Sequence, residues 1–337
     1  MNRIMVVSEI GSNHNGSLEL AKKMIDVSKK CGADAVKFQT FQTDELVSSY
    51  APMAKYQKDN LCVDESQKDM LKKLELSKND FVEIFKYAKN KKILAFSTPF
   101  DIPSIEFLYS IGQTIWKIPS GEINNLPYLE KIALLDCKNK EIILSTGMAN
   151  MSEIKSAINI LDNGKAKITI LHCNTNYPSL DKDLNLEAIN KLHEEFPKYN
   201  IGLSDHSEGI VAPLIACGMS ISMVEKHFTL NKNLPGPDHN MSIEPQTLEM
   251  LCSSIRRAEK MIGKKSKIVT SSEAKNIMWA RKSIVAKRKI KKGEILSEEN
   301  ITTKRPANGI SPMKWHEIIG TTAIRNFDLD ELIEIKN

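Results

Sequence analysis

Short runs rich in Val, Ile and Phe recur through the first three-quarters of the chain, and each ends in polar residues. They are IMVVSEI (4–10), AVKFQT (35–40), ILAFST (93–98), TIWKIPS (114–120), EIILST (141–146), ITILHC (168–173), NIGLSD (200–205) and SMVEKHF (222–228). Each has the length of a buried strand. Between most of them the apolar spacing becomes helical. In SLELAKKMIDVSKKCG, Leu18, Ala21, Met24 and Ile25 fall on one face, with Ser17 placed to cap the start and Gly32 to end the helix. Asn150 with Glu153, and Ser77 with Asp80, have capping-box spacing. Strands alternating with helices predict parallel β/α units. Eight such units in roughly 250 residues predict an α/β fold, the (β/α)8 TIM barrel. A doubly wound open sheet is the competing architecture. It is disfavoured because EIGSNHNGS carries Gly11 and Gly16 without the G-x-G-x-x-G spacing.

Two stretches break the rhythm. The interval FQTDELVSSYAPMAKYQKDNLCVDESQKDMLKKLELS is long for a connection between a strand and its helix. Insertions of this length are usually functional lids, and Tyr50, Met53, Tyr56, Leu61 and Met70 supply too much apolar surface for a disordered one. After about residue 262 the pattern changes to short strands with tight turns. The reading is a barrel over 1–262, a polar linker over 263–280 and a small mainly-β module over 281–337. A module that small has little core of its own and is expected to pack on another surface.

Composition narrows the class. The 337 residues are 41% apolar and 26% charged, as in a soluble globular protein. No apolar run approaches a membrane span, and MNRIMVVSEIGSNH is too short for a signal-peptide core, so a cytoplasmic protein is expected. Six cysteines (Cys31, Cys62, Cys137, Cys173, Cys217 and Cys252) form no C-x-x-C pair, which fits reduced thiols. The net charge of +5 is mild. The basic stretch WARKSIVAKRKIKKGE has no interleaved aromatic residues, which favours a solvated face or an anionic small molecule over nucleic acid.

In a barrel the chemistry lies at the C-terminal ends of the strands. Those ends hold Glu9; Lys37 and Gln39; Ser97 and Thr98; Lys117, Ser120 and Glu122; Ser145 and Thr146; His172 and Asn174; Ser204, Asp205 and His206; Glu225, Lys226 and His227. Lysine is rarely buried without a partner. Lys37 and Lys117 inside apolar runs, with hydroxyls nearby, therefore predict an anion pocket, most simply for phosphate. The competing reading is ion pairing with Glu9 or Glu122. His206 and His227 end neighbouring strands, and two imidazoles near carboxylates suit a divalent metal with open positions. Plain hydrogen bonding is the alternative there.

Taken together, SEIGSNHNGS, KFQT, FSTPFD, WKIPSGE, NLPYLEKIA, STGM, LHCNTNYP, GLSDHS, EKHFTL, GPDH and TTKRPANGISP resemble the bacterial sialic acid synthase family, nearest to the capsule-making N-acetylneuraminate synthases. The resemblance runs from about Val6 to the last strands. It implies a barrel joined to a C-terminal antifreeze-like (SAF) domain, and condensation of phosphoenolpyruvate with N-acetylmannosamine and water to give N-acetylneuraminate and phosphate. It places phosphoenolpyruvate on Lys37, Thr98, Lys117, Ser120, Ser145 and Ser204, and a manganese or magnesium ion on His206 and His227. The sugar would meet Glu9, Glu122, Thr175, Tyr177 and Asp238. Arg305 would enter from the partner of a homodimer with exchanged C-terminal domains. Glu122, Glu9 and Lys117 are the implied catalytic groups, and Asp205 would orient His206 or its strand end. His14 and His239 are left out of the metal set. Two departures, Asn176 in HCNTNYP and Ala307 in KRPANG, lie near the expected sugar end. They leave the reaction class alone and keep open an N,N'-diacetyllegionaminate synthase using a 2,4-diacetamido-2,4,6-trideoxy sugar. A non-catalytic sugar-binding protein is the distant alternative, against which the polar strand ends Lys37, Lys117, Glu122, His206 and His227 are all present.

Overall fold

The structure is a computed structural model that describes residues 3–48, 51 and 66–336. It divides into two compact units, Met1–Gly263 and Lys264–Asn337. The first contains strands β1 (Met5–Gly11), β2 (Ala35–Thr40), β3 (Leu94–Pro99), β4 (Ile115–Ile118), β5 (Glu141–Ser145), β6 (Lys167–Cys173), β7 (Asn200–Asp205) and β8 (Met223–His227). All adjacent pairs are parallel, in the order β3-β2-β1-β8-β7-β6-β5-β4. The two ends of that order lie against each other, so the sheet is a nearly closed barrel. At this seam the Gln113 side chain takes the place of a backbone partner. Its Oε1 accepts the Ser97 N–H at 2.8 Å, and its Nε2 donates to Ser97 O at 2.9 Å.

The helices form where apolar spacing and caps coincide. Helix α1 (Leu18–Lys30) starts where Ser17 accepts from the Leu20 N–H and buries Ala21, Met24 and Ile25. The long insertion contributes α2 (Thr43–Leu46) and α3 (Gln67–Leu74), the latter capped by Ser66. Of the residues that mark it as a lid, Met70 is buried in α3, while Tyr50, Met53, Tyr56 and Leu61 lie outside the described residues. Helices α4 (Lys78–Asn90) and, after α5 (Ile102–Ser110) and α6 (Leu126–Leu134), α7 (Met151–Leu161) carry the two expected capping boxes. Helices α8 (Ala188–Glu195), α9 (Val211–Cys217) and α10 (Pro245–Ile262) complete the ring.

In the second unit, β9 (Ser283–Ala286) pairs antiparallel with β10 (Ile301–Lys304). Ile284, Leu296, Ile301, Phe327 and Ile333 fill a small core. The polar stretch read as a linker holds a helix, α11 (Ser271–Ala280), capped reciprocally by Thr270 and Glu273. The Ala307 N–H donates to Met278 O at 2.9 Å, tying that helix to its own unit. Among the described residues no helix is long and apolar enough to cross a membrane.

Candidate active site

Strand register explains what fills the barrel mouth. Val7, Ala35, Phe96, Ile115, Ile143, Leu171 and Met223 form an apolar cluster inside the barrel. Gly202 belongs to the same level, since a Cβ there would fall 2.6 Å from Leu171 Cδ2 and 2.8 Å from Met223 O. Side chains on one face of a strand recur every second residue. Two residues further along, the strands present Glu9, Lys37, Thr98, Lys117, Ser145, Cys173, Ser204 and Glu225, all of them buried. Another two residues along β7 and β8 come His206 and His227.

Charge in this layer alternates. Lys37 Nζ lies 2.7 Å from Glu9 Oε2 and 3.8 Å from Glu225 Oε1, and donates to Thr98 Oγ1 at 3.2 Å. Lys117 Nζ donates to Ser145 Oγ at 2.7 Å and stands 3.5 Å from Glu225 Oε1. The ion pairing weighed against an anion pocket is therefore present for both lysines, Lys37 through Glu9 and Glu225 and Lys117 through Glu225, and among the described residues Glu122 has no part in it. Both lysines still line the cavity. Burial pushes the Lys117 ammonium below its usual range, only partly offset by Glu225. Burial pushes Glu9 up against the pull of Lys37. Burial acts in the same sense on Glu225, but Lys117 and Lys37 outweigh it and hold that carboxyl low.

The cavity above this layer has a volume of about 540 Å³ and is lined by Glu9, Lys37, Lys117, Ser120, Glu122, Ser145, Thr175, Tyr177, Ser204, His206, His227 and Asp238. Of the expected phosphoenolpyruvate residues only Thr98 is not in the lining; it is fully buried against Lys37. Glu122 is half-buried and accepts from Asn125 Nδ2 at 2.6 Å. Arg305 lies in the second unit, exposed, with its Nε donating to Ala280 O at 3.2 Å. Asn176 is exposed and outside the lining, its amide turned to Pro178 O at 3.0 Å. Its departure from the usual pattern does not touch the cavity.

A second feature of the cavity escaped sequence reasoning. Phe41, Leu46, Val47, Met70, Leu71, Leu74 and Phe100 form an apolar wall, most of it from α2, α3 and the residues beside them. Glu225 also escaped assignment, although it stands two residues before His227 as Ser204 stands two before His206. Same-face counting would have found it.

The imidazoles of His206 and His227 are tilted rings 5.3 Å apart between centroids, and Tyr177 lies 4.2 Å from the first and 6.0 Å from the second. His206 Nδ1 meets Asn174 O at 2.5 Å, which makes that nitrogen the N–H donor and leaves the lone pair of the neutral ring on Nε2. Against the effect of burial, Cys173 and the Asn174 carbonyl raise this imidazole's pKa. Among the described residues His227 Nδ1 is buried without a hydrogen-bond partner, 4.0 Å from Asp238 Oδ2. Burial, with His206 and Lys37 nearby, holds His227 well below its ordinary range, so the ring is neutral. A fixed tautomer, a neutral ring and an orphaned nitrogen fit a divalent ion. Among the described residues no three His, Cys, Asp or Glu side chains group to hold one. His239 Nδ1 meets Thr229 Oγ1 and His14 Nδ1 accepts from Gly16 N–H, and burial takes both imidazoles down to about 4.

Ser120 is set by a close backbone approach. Its Oγ accepts the Gly147 N–H at 3.0 Å. A Cβ on Gly147 would come within 2.5 Å of Thr175 Cγ2 and 2.9 Å of Ser120 Oγ. Gly147→Ala is expected to displace both cavity residues and, with phosphoenolpyruvate on Ser120 as the resemblance implies, to weaken its binding about tenfold. Titration calorimetry checks this, and an unchanged affinity would remove Ser120 from the binding set.

Comparison with known proteins settles the family. The NeuB family model matches residues 24–267, and the SAF domain model matches 281–335. The chain belongs to the NeuB family. It is 50% identical over 336 residues to the N,N'-diacetyllegionaminic acid synthase of Campylobacter jejuni, covering 99% of each chain. It is 41% identical to the protein of the same description from Legionella pneumophila, covering 95% of this chain and 90% of that one. Among solved structures it resembles the N-acetylneuraminic acid synthetase of Leptospira borgpetersenii, with a TM-score of 0.73 and 34% identity over 82% of this chain and 90% of that one. This NeuB-family chain is thus an enzyme of the sialic acid synthase type, built as a barrel with a SAF domain.

Proposed function

We propose that this NeuB-family enzyme condenses phosphoenolpyruvate with a 2,4-diacetamido-2,4,6-trideoxy sugar and water, giving N,N'-diacetyllegionaminate and phosphate. The observation that carries this reading is a single cavity joining a two-lysine floor to an apolar wall. Compared with N-acetylmannosamine, the trideoxy sugar replaces one hydroxyl by an acylamino group and another by hydrogen, leaving a terminal methyl. Methyl groups gain about 0.8 kcal/mol per buried carbon. A hydroxyl turned to Leu46 or Leu71 without a partner costs about 1–3 kcal/mol. The wall therefore favours the diacetamido sugar, and the relatives at 50% and 41% identity carry that product in their names. The N-acetylneuraminate reading expected from the resemblance takes second place.

The residues divide the work. Lys37 and Lys117 offset the charge of carboxylate and phosphate, with Ser120, Ser145 and Ser204 as neutral donors. The C3 of phosphoenolpyruvate forms a bond to the sugar's aldehyde carbon, whose oxygen takes up a proton. Water adds at C2 and gives up one proton; the C2–O bond to phosphate then breaks as the new C2 hydroxyl passes its proton to the departing phosphate, leaving the ketone. Glu122, half-buried at the rim, is the proton-transfer group for water or sugar, and Glu9 lies deeper, on Lys37. Manganese or magnesium, held by His206 and His227, would supply Lewis-acid polarisation of the aldehyde oxygen. Tyr177, Thr175 and Asp238 would orient the sugar, and Arg305 from the partner of an exchanged dimer would reach its acyl group. The product belongs to surface-glycan synthesis.

The test is phosphate release from phosphoenolpyruvate with manganese, offering each sugar separately, with EDTA controls. The expected result is a kcat/KM about 10²-fold higher for the diacetamido sugar. Preference for N-acetylmannosamine would overturn the substrate assignment, and release with neither sugar would overturn the proposed reaction.

A further inference from the structure

The strand ends that carry the two histidines also carry a buried ion pair outside the cavity. Asp205 and Lys226 are register partners on β7 and β8. Each adjoins an imidazole in sequence, and the two-residue period turns both away from the barrel interior. Their side chains are 0% and 2% exposed. Lys226 Nζ lies 2.5 Å from Asp205 Oδ2 and donates to Ser207 O at 2.6 Å. Asp205 Oδ1 accepts the Ser207 N–H at 2.9 Å. The two side chains thus hold both backbone polar groups of Ser207, the residue that follows His206. On the other side of the strand end, the His206 carbonyl accepts the Ser179 N–H at 2.9 Å.

Stability alone is a weak reason for such a pair, because apolar residues of similar volume often do as well or better in a buried site. An apolar pair could not grip the Ser207 peptide or tie the end of β8 to the end of β7. We infer that Lys226 and Asp205 are positioning residues that set the spacing of His206 and His227 for a divalent ion. This extends the assignment of Asp205 as an orienting group: Lys226 is the element that couples the two strands. The inference rests on the proposed metal role of the histidines, and its test separates the two.

The double variant Asp205→Leu/Lys226→Met removes both charges without stranding either. It is expected to fold with a Tm within a few degrees of wild type. Manganese affinity, read by electron paramagnetic resonance, should fall at least tenfold, while phosphoenolpyruvate affinity measured without metal stays within threefold. In metal-free, ¹⁵N-histidine-labelled protein the His206 and His227 signals should shift while those of His14 and His239 do not. Lys226→Arg, which keeps charge and donors, should recover most of the manganese affinity and covers the case in which the double variant fails to fold. Unchanged manganese affinity and unchanged imidazole signals in a folded variant would overturn the inference. An equal loss for manganese and phosphoenolpyruvate would reduce the pair to general support and overturn it too. If wild-type protein binds no manganese, the metal assignment falls, and the imidazole signals alone decide the positioning role.

Discussion

Lys117→Met is expected to lower kcat/KM for phosphoenolpyruvate by about 10³-fold and to lower the Tm, because it leaves buried negative charge with one partner fewer. Lys117 and Lys37 balance Glu9 and Glu225 in the buried layer, so the four side chains sum to zero when all are charged. Removing one lysine leaves one positive against two negative charges, a net of −1 facing an anionic substrate. Glu225 feels the change first, because Lys117 is the largest opposing influence on its carboxyl after burial itself. Its pKa should rise, and the proton it takes up restores neutrality without restoring a donor for the phosphate. Methionine fills nearly the same volume and removes the cost of a desolvated ammonium, which limits the loss of stability from the stranded carboxylate without cancelling it. Steady-state kinetics, calorimetry with phosphoenolpyruvate and a thermal melt together check the prediction. A phosphoenolpyruvate Kd within threefold of wild type would mean that the anion does not bind over this lysine.

Most of the barrel was legible because its signals are local. Eight apolar runs of strand length coincide with β1 to β8 to within a residue or two, and the Ser77 and Asn150 boxes cap the helices they announce. The gathering of the strand ends was legible for a related reason: once a barrel is assumed, the end of every run must face one rim. What stayed hidden depends on direction and on distant segments. Lys226 and His227 are adjacent in sequence, yet one faces away from the barrel interior and the other lines the cavity, and only register separates their roles. The apolar wall comes from α2 and α3, short helices inside an insertion whose path no periodicity specifies. Asn176 misdirected attention for the opposite reason. It sits beside Thr175 and Tyr177 in sequence, but its amide bonds locally to Pro178 O instead of entering the cavity. The helix in residues 271–280 was missed because it has no buried residues and so shows no strong apolar stripe.

His227→Leu should separate stability from function. Among the described residues His227 Nδ1 is a buried polar atom with no hydrogen-bond partner, and such a group costs about 1–3 kcal/mol. Leucine removes that cost and is close enough in volume to fill the space, so the variant should melt a few degrees higher than metal-free wild type. Catalysis should move the other way, with kcat lower by at least about 10³-fold if the aldehyde oxygen depends on an ion held at this position. A site that gives up stability to keep a polar atom unpaired is what the exchange between stability and activity leads one to expect at a binding centre. Added manganese provides the discriminating measurement. A ligand that binds only the folded state raises the Tm by mass action, so manganese should stabilise wild type and leave His227→Leu unmoved. Equal stabilisation of both proteins would place the ion elsewhere, and a lower metal-free Tm in the variant would mean that the imidazole contributes to packing more than its orphaned nitrogen costs.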